Sequence, residues 1–312
     1  MTKIAAVTGA TGIVGKRIVE LLIKEGFKVR ILTRKLGYDL KDSVEIVYGD
    51  LSNSVSLENF VHGVDILFHC AAELNNAYAM EEVNVTGTRN LIAAARKTKI
   101  QVFCHMSSVG VIGRVDGIWA DENTECHPQN TYERTKYLAE QLVLQNTFAE
   151  HTFILRPTNV VCENKLGPLT YVINKSFLNR LKLFLKGNER SHMIHAKDVA
   201  AAMFFCALCI PKSRQHKINE RKFTPCIFIV SLDHEVNNSI AKVCRNYLKM
   251  KRQDFNFLGL SMPWRFPYYL RKLLFRPCNR SDLNYSSAKL LATDFRYSLG
   301  LEGAIKDISE NT

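Results

Sequence analysis

The sequence predicts an α/β fold, a doubly wound parallel sheet with a smaller, mostly helical C-terminal lobe. Three observations predict it. Short apolar runs alternate with helix-spaced stretches through the first half of the chain. A glycine-spaced loop joins the first run to the first helical stretch. After Pro157 the alternation gives way to irregular, basic, helical-looking segments at 162–190 and 236–285. Short buried strands alternating with helices imply a parallel sheet covered on both faces, with ligands bound beyond the carboxyl ends of the strands.

The elements follow in order. KIAAVTG (3–9) is an apolar strand closed by glycine. GKRIVELLIKEG (15–26) puts Ile18, Val19, Leu22 and Ile23 at helical spacing, with Gly26 as a C-cap. KVRILTR (28–34), VEIVYGD (44–50), VDILFHCAA (64–72) and QVFCHMSS (101–108) read as further strands. The clearest helix between them is VNVTGTRNLIAAARKT (83–98), and YERTK (132–136) opens another. HTFILRP (151–157) is a strand, MIHAKDVAAAMFFCALC (193–209) a helix with Asp198 near its start, and CIFIVS (226–231) a last strand.

A chain of 312 residues suits a large domain with a smaller one grafted on it. Apolar content of 46% and charged content of 23% are those of a soluble globular protein. Lys and Arg outnumber Asp and Glu by 42 to 30, a formal charge of +12. Such a balance suits nucleic acid, an anionic membrane or anionic small substrates. With no arginine-rich run, RNP-like segment or zinc-finger spacing, nucleic acid is set aside, and no metal is assigned. Nine scattered cysteines, an odd count, suit reduced buried thiols rather than a disulfide framework. Cys206 and Cys209 form a CxxC inside an apolar helix, where core filling is expected. No charged-then-apolar leader opens the chain, and no apolar run approaches the ~20 residues that cross a bilayer, so a cytoplasmic protein is expected.

TGATGIVG (8–15) spaces Gly9, Gly12 and Gly15 three apart, between strand and helix. Glycine permits the tight turn, close approach of backbone to phosphate, and close packing of helix on strand. The helix N-terminus then offers N–H groups to a pyrophosphate. This is the Rossmann arrangement, in its required strand–loop–helix context. It places a dinucleotide-binding domain at 1–161, to which 191–235 returns, and a substrate lobe at 162–190 and 236–312. The second strand ends ILTRK (31–35), with no acid for a ribose 2′-hydroxyl. Arg34 suits the 2′-phosphate of NADP over NAD, or else solvates a strand end. Asp50 either accepts from the adenine amino group or serves as a turn residue.

In YERTK, residues four apart share a helix face, so Lys136 can set its ammonium near the Tyr132 hydroxyl. A nearby cation favours phenolate, and a tuned tyrosine exchanges a proton with a substrate hydroxyl or ketone. Ser107 and Ser108 leave the preceding strand where a cofactor would lie. A hydroxyl there holds the reacting oxygen or caps the strand end.

TGATGIVG, GDL (49–51), HCAA (69–72), NVTGTRN (84–90), SSVGVIG (107–113), YERTK, RPTNVV (156–161) and IHAKDVA (194–200) together resemble the extended short-chain dehydrogenase/reductase family, often labelled NAD-dependent epimerase/dehydratase. The resemblance implies Tyr132 as catalytic acid/base, with Lys136 lowering its pKa and bonding the nicotinamide ribose. Ser108, five before Gly113, is implied as the catalytic hydroxyl. Cofactor contacts are implied for Gly9, Thr11, Gly12, Ile13, Gly15, Arg34, Asp50, Leu51 and Ala71, together with Tyr132 and Lys136. Asn84 resembles the family's helix asparagine, whose plainer role is to hold backbone. Asn159 falls where sugar-nucleotide members carry a substrate-binding asparagine; Ser108 and Arg190 complete the expected substrate contacts.

There are departures from the family pattern. Ile112 replaces an aromatic residue, VVCE (160–163) replaces VYGP, and Arg190 stands one position farther than usual from IHAKD. Arg190 then reaches a diphosphate or serves the surface. Val109 and Gly110 follow Ser108 where dehydratases carry Asp-Glu. The resemblance implies hydride transfer at a carbon of a nucleotide sugar, as a 4-epimerase or a 4-keto reductase, by a homodimer. Two alternatives stand beside it: an NADPH-dependent reductase of a steroid- or flavonoid-like ketone, and a non-catalytic NAD(P)-binding sensor. MPWRFPYYLRKLLFRP (262–277) closes over a diphosphate, lies on an anionic membrane surface, or is an ordinary amphipathic helix.

Overall fold

All seven strands read from the sequence form, and they join one sheet. The computed structural model describes residues 3–34, 44–174, 176–214, 224–253, 269, 273 and 279–312. Lys35, Cys278 and, apart from Tyr269 and Leu273, the basic aromatic segment 262–277 lie outside the described residues. The elements run β1 (Ile4–Thr8), α1 (Gly15–Lys24), β2 (Lys28–Thr33), β3 (Val44–Tyr48), α2 (Ser54–Val61), β4 (Ile66–His69), α3 (Ala77–Met80), a π-helical turn (Glu81–Thr86), α4 (Gly87–Ala95), β5 (Val102–Met106), β6 (Trp119–Ala120) and α5 (Thr131–Gln145). They continue with β7 (His151–Pro157), β8 (Asn159–Val161), α6 (Thr170–Ile173), α7 (Phe177–Lys186), β9 (Met193–His195), α8 (Ala196–Arg214), β10 (Cys226–Val230), α9 (Ile240–Met250), β11 (Asn284–Tyr285) and, last, a helix at Gly300–Asn311.

The sheet order is β3-β2-β1-β4-β5-β7-β10. From β3 to β7 the pairs are parallel, with Val7 opposite Ile31 on one side and Phe68 on the other. Chain order changes direction between β1 and β4, and the connections there leave to opposite faces, opening a crevice at the strands' carboxyl ends. β1 can sit at the centre because Ala5, Ala6 and Val7 are apolar and fully buried. One core cluster joins Phe60 of α2, Leu91 and Ile92 of α4, Phe103 of β5 and Val143 of α5.

The chain divides into two compact units. The first comprises Met1–Val111, Pro128–Arg156 and Ala200–Phe228, and holds most of the sheet and the glycine loop. The second comprises Ile112–His127, Pro157–Val199 and Ile229–Thr312. Within it β8 pairs with β9, and β6 with β11, both in parallel.

Some local readings need correction. Met193–His195 is a strand, not the start of a helix, because it pairs with β8. The stretch 83–98 begins inside a π-helical turn, and the α-helix starts only at Gly87. Ile112, which replaces an aromatic residue of the family pattern, is fully buried and belongs to the core. Cys70, Cys104, Cys162, Cys206 and Cys244 are buried, but Cys209, expected in the core, is exposed. Asp198 is a strut: its carboxylate accepts from Ser298 N (2.9 Å), Ser298 Oγ (2.8 Å), Leu299 N (3.0 Å) and Gly300 N (3.1 Å), which fixes the start of the last helix. Among the described residues, no helix is long and apolar enough to cross a membrane.

Candidate active site

Gly9 has φ +68°, and a Cβ on it would lie 2.6 Å from the Ala71 nitrogen at the end of β4. A Cβ on Gly15 would overlap the Gly9 carbonyl. The loop therefore lies flat against β4 only as glycine. Gly12 N–H closes the turn on Gly9 O at 2.9 Å. Val14 stands at the N-cap of α1 and offers no side-chain cap; Lys16 N–H closes on the Gly12 carbonyl at 3.0 Å, and the positive end of the helix dipole still faces the loop, where it favours an anion. Gly9→Ala should cost about 1–3 kcal/mol of stability and abolish the thermal shift that NADH or NADPH gives the wild type. Unfolding curves with and without nucleotide check both.

The crevice holds a cavity of about 360 Å³, within the range of cofactor sites. Of the expected cofactor residues, Gly9, Thr11, Gly12, Arg34, Asp50, Leu51 and Ala71 line it. Ile13, Gly15, Tyr132 and Lys136 do not. The glycine cradle, the uncapped helix and the cavity size fit a dinucleotide.

Two carboxylates of the cavity wall, Asp50 and Glu73, lie in the field of Arg34. Asp50 Oδ1 accepts from Ser52 N (2.8 Å) and Ser52 Oγ (2.6 Å), which makes it a turn residue. These bonds, more than the Arg34 charge, hold its carboxyl below the usual range. Glu73 Oε1 accepts from the N–H groups of Leu74, Asn75 and Asn76 at 2.9–3.0 Å, and its carboxyl is likewise lowered, with Arg34 contributing. Arg34 thus stands in the field of two ionised carboxylates, which no single-residue reading of the β2 end reveals.

α5 begins where Asn130 accepts the Glu133 N–H (3.0 Å) while Glu133 Oε2 accepts the Gln129 N–H (2.7 Å). This reciprocal cap fixes the first turn, which carries Tyr132. Tyr132, Lys136 and Glu140 follow at helical spacing down one face. Glu140 is fully buried and accepts from Arg156 Nε (3.1 Å), Arg156 Nη2 (2.5 Å) and Ser107 Oγ (2.6 Å). Ser107 is therefore committed to anchoring β5 on α5. Ser108 is not: its hydroxyl bonds the Tyr132 phenol and accepts the Gly110 N–H at 3.0 Å. Glu140 and Arg156 escaped the sequence reading, although Glu140 stands four after Lys136 and Arg156 ends β7.

The expected pairing of lysine with phenol is not made. Lys136 Nζ is buried and donates to the Met106 carbonyl at 2.6 Å. Burial raises the Tyr132 pKa; the Ser108 hydrogen bond opposes the rise and Glu133 adds to it. The phenol is thus more firmly protonated than free tyrosine, not less. The helix face was right, but the lysine chain turns to the end of β5. Its own pKa is pushed down to about 8 by burial, against the pull of Cys70 and Glu140.

Asn84 holds backbone. Its Nδ2 donates to Glu73 O (3.1 Å) and Thr135 Oγ1 (3.1 Å), and its Oδ1 accepts the Glu73 N–H (2.7 Å). Thr135 Oγ1 in turn donates to Tyr132 O at 3.0 Å. The Asn84 carbonyl accepts from Thr88 Oγ1 (2.6 Å), which lies 2.9 Å from His69 Nε2, and Thr8 Oγ1 lies 2.7 Å from His69 Nδ1. Because Thr88 spends its proton on Asn84, His69 must carry its proton on Nε2 and accept from Thr8 on Nδ1. Burial, with Lys136 assisting, pushes the His69 pKa down to about 3 and keeps it neutral. One polar chain thus links the end of β1 to the Tyr132 turn.

In the second unit, Asn159 is exposed and its N–H donates to His192 O at 2.8 Å. Arg190 Nη1 reaches the Glu235 carbonyl at 3.5 Å. Glu163, His195 and Asp307 bring ligand atoms within 4.8 Å of one another. The Lys197 ammonium already sits on Asp307, and the Lys197 N–H donates to His195 Nδ1 at 3.2 Å, so protein groups occupy that cluster.

A model of the NAD dependent epimerase/dehydratase family matches residues 5–218. A "Putative dihydroflavonol 4-reductase" of Synechocystis sp. is 32% identical over 62% of this chain and 60% of its own. A "Putative UDP-glucose 4-epimerase" of Methanocaldococcus jannaschii is 28% identical over 63% of this chain and 70% of its own. The chain spans about three-fifths of the length of the curated relatives it matches first. A short-chain dehydrogenase/reductase superfamily protein from Agrobacterium tumefaciens with bound NAD superposes with a TM-score of 0.73, covering 99% of this chain and 96% of that one. At 19% identity that likeness is one of fold.

Proposed function

The chain belongs to the NAD-dependent epimerase/dehydratase family, and on that premise we propose that it is an NAD(P)-dependent oxidoreductase or epimerase acting at a carbon of a nucleotide-linked sugar. The observation that carries the reading is the Ser108–Tyr132 hydroxyl pair, with a buried Lys136 one turn further along α5, in the same unit as the glycine cradle. A nicotinamide bound in the crevice would supply or accept the hydride. Ser108 orients the substrate oxygen, and Tyr132 gives that oxygen a proton in the reducing direction or takes one in the other. The raised phenol pKa poises the free protein as the acid. Lys136, one helical turn after Tyr132, brings a buried ammonium to the end of β5. Asn84 is a positioning residue, through Thr135. Gly9, Thr11, Gly12, Ile13 and Gly15 would hold the pyrophosphate of a bound dinucleotide, and Leu51 and Ala71 would contact its nucleoside. Asn159 is the first substrate contact. Arg190 is the second, less free because of its bond to Glu235.

NADP is our cofactor assignment, on Arg34. Asp50 and Glu73 share its charge, so the preference should be modest: Arg34→Ala should weaken NADPH binding about tenfold more than NADH binding. Equal losses in fluorescence titrations would leave NAD as the cofactor.

The test is turnover. With NADPH and a UDP-linked 4-keto sugar, the protein should consume the nucleotide. The second reading, a reductase of a flavonoid-like ketone, draws on the Synechocystis relative, and consumption with a dihydroflavonol alone would establish it instead. Retained NAD released on denaturation, with interconversion of UDP-sugars and no net consumption, would identify an epimerase. No turnover on any of the three would sink the hydride-transfer reading.

A further inference from the structure

α7 turns its apolar side outward. Leu183 is its buried side chain. At about 100° per residue, the opposite face carries Phe177, Leu178 and Leu181, which are 77%, 64% and 42% exposed. Leu185 lies among them and is half-buried. Arg180 borders this face on one side, and Lys182 and Lys186 on the other; α7 contains no acid. The orientation is fixed from the inward side. Ser176 caps the helix by accepting the Asn179 N–H, and Asn179 Nδ2 donates to Asn174 O (2.9 Å) and Thr170 O (3.3 Å).

We propose that α7 is a membrane-surface helix, laying its Phe177–Leu178–Leu181 face into the headgroup boundary of a bilayer that carries anionic lipids. An apolar face bordered by cations is the composition of helices that lie in that boundary. The borders supply the charge complementarity: Arg180, Lys182 and Lys186 would meet lipid phosphates and carboxylates as the apolar face enters. The formal charge of +12 adds a field of the same sign. A ten-residue helix, about 15 Å long, is too short to span and suited to lying flat. A second copy of the chain fits the face less well, because a two-fold contact would bring the same cations together. The inference does not depend on the catalytic reading.

The test is co-sedimentation of the full chain with phosphatidylcholine vesicles, with and without phosphatidylserine. Binding that requires phosphatidylserine and weakens with salt is expected. The triple variant Phe177→Ser, Leu178→Ser, Leu181→Ser should lower the partition coefficient at least tenfold. Arg180→Gln, Lys182→Gln and Lys186→Gln should each lower the phosphatidylserine-dependent part about fivefold. No binding by the wild type, or undiminished binding by the serine variant, would overturn the proposal. So would a fall in the wild type's oligomeric state on serine substitution, seen by light scattering, since it would put a second copy on this face. If the triple variant does not fold, Phe177→Trp gives the same decision. Its emission should move to shorter wavelength with phosphatidylserine vesicles, and an unmoved spectrum overturns the proposal.

Discussion

Tyr132→Phe will lower turnover by about 10²–10⁴-fold, the usual worth of a positioned proton donor, and leave nucleotide binding unchanged. The ring is kept, so packing in the first turn of α5 survives, and the lost bond to Ser108 costs only about 1 kcal/mol. The nucleotide cavity is lined by residues of the β1–α1 loop, the ends of β2, β3 and β4, and Glu82 and Val83 of the π-helical turn, and the phenol hydroxyl that the substitution removes is not among its lining. The pH dependence has a sign. Burial lifts the phenol above free tyrosine, so the acid for reduction stays loaded through neutral pH. In the oxidising direction the same shift holds back the base, and wild-type turnover should climb with pH. Both follow from steady-state rates over a pH series beside NADPH titrations of wild type and variant. Full turnover by the phenylalanine protein would remove Tyr132 from the chemistry; parallel loss of nucleotide binding would make it a structural residue.

What could be read from the sequence was what local chemistry decides. The strand-forming stretch Ile4–Thr8 is apolar until a terminal threonine, and Gly9, Gly12 and Gly15 admit one geometry of loop, so the cradle was foreseeable residue by residue. The spacing of Tyr132 and Lys136 correctly placed both on one face of α5. It could not say where a flexible four-carbon chain would turn, and the Met106 carbonyl, thirty residues away in sequence, took the ammonium. The choice between Ser107 and Ser108 was equally non-local, because it depends on Glu140, which commits Ser107 and leaves Ser108 to bond Tyr132. Arg34 read as a lone cation, since Asp50 and Glu73 join it only when β2, β3 and β4 are side by side. Met193–His195 misled because a three-residue strand has no room to show a period, and only pairing with β8 makes it one.

Lys136→Met should abolish most activity while leaving the protein as stable at pH 7 as before, or more so. A lysine whose pKa falls from 10.5 to about 8 on folding carries a charge that the fold disfavours. At about 1.4 kcal/mol per pKa unit the cost is on the order of 3 kcal/mol. The sign is fixed by proton counting. Between pH 8 and 10.5 the unfolded chain binds more protons than the folded one, so this group's contribution makes stability rise with pH across that window. Below about 8 the cost is present in full; above 10.5 it is gone. Methionine removes it and fills similar space, but leaves the Met106 carbonyl without its donor, a loss of about 1–3 kcal/mol. The two nearly cancel at pH 7, where the melting temperature should hold or rise by a few degrees. At pH 10 the relief shrinks while the orphaned carbonyl remains, so the variant should fall below the wild type. Thermal unfolding at both pH values checks the reversal. A variant that melts far lower at pH 7 and keeps its turnover would make Lys136 a structural prop. The expected pair, activity lost and stability kept, would mark a cation held in the core against the preference of the fold, one helical turn from the tyrosine proposed to transfer the proton.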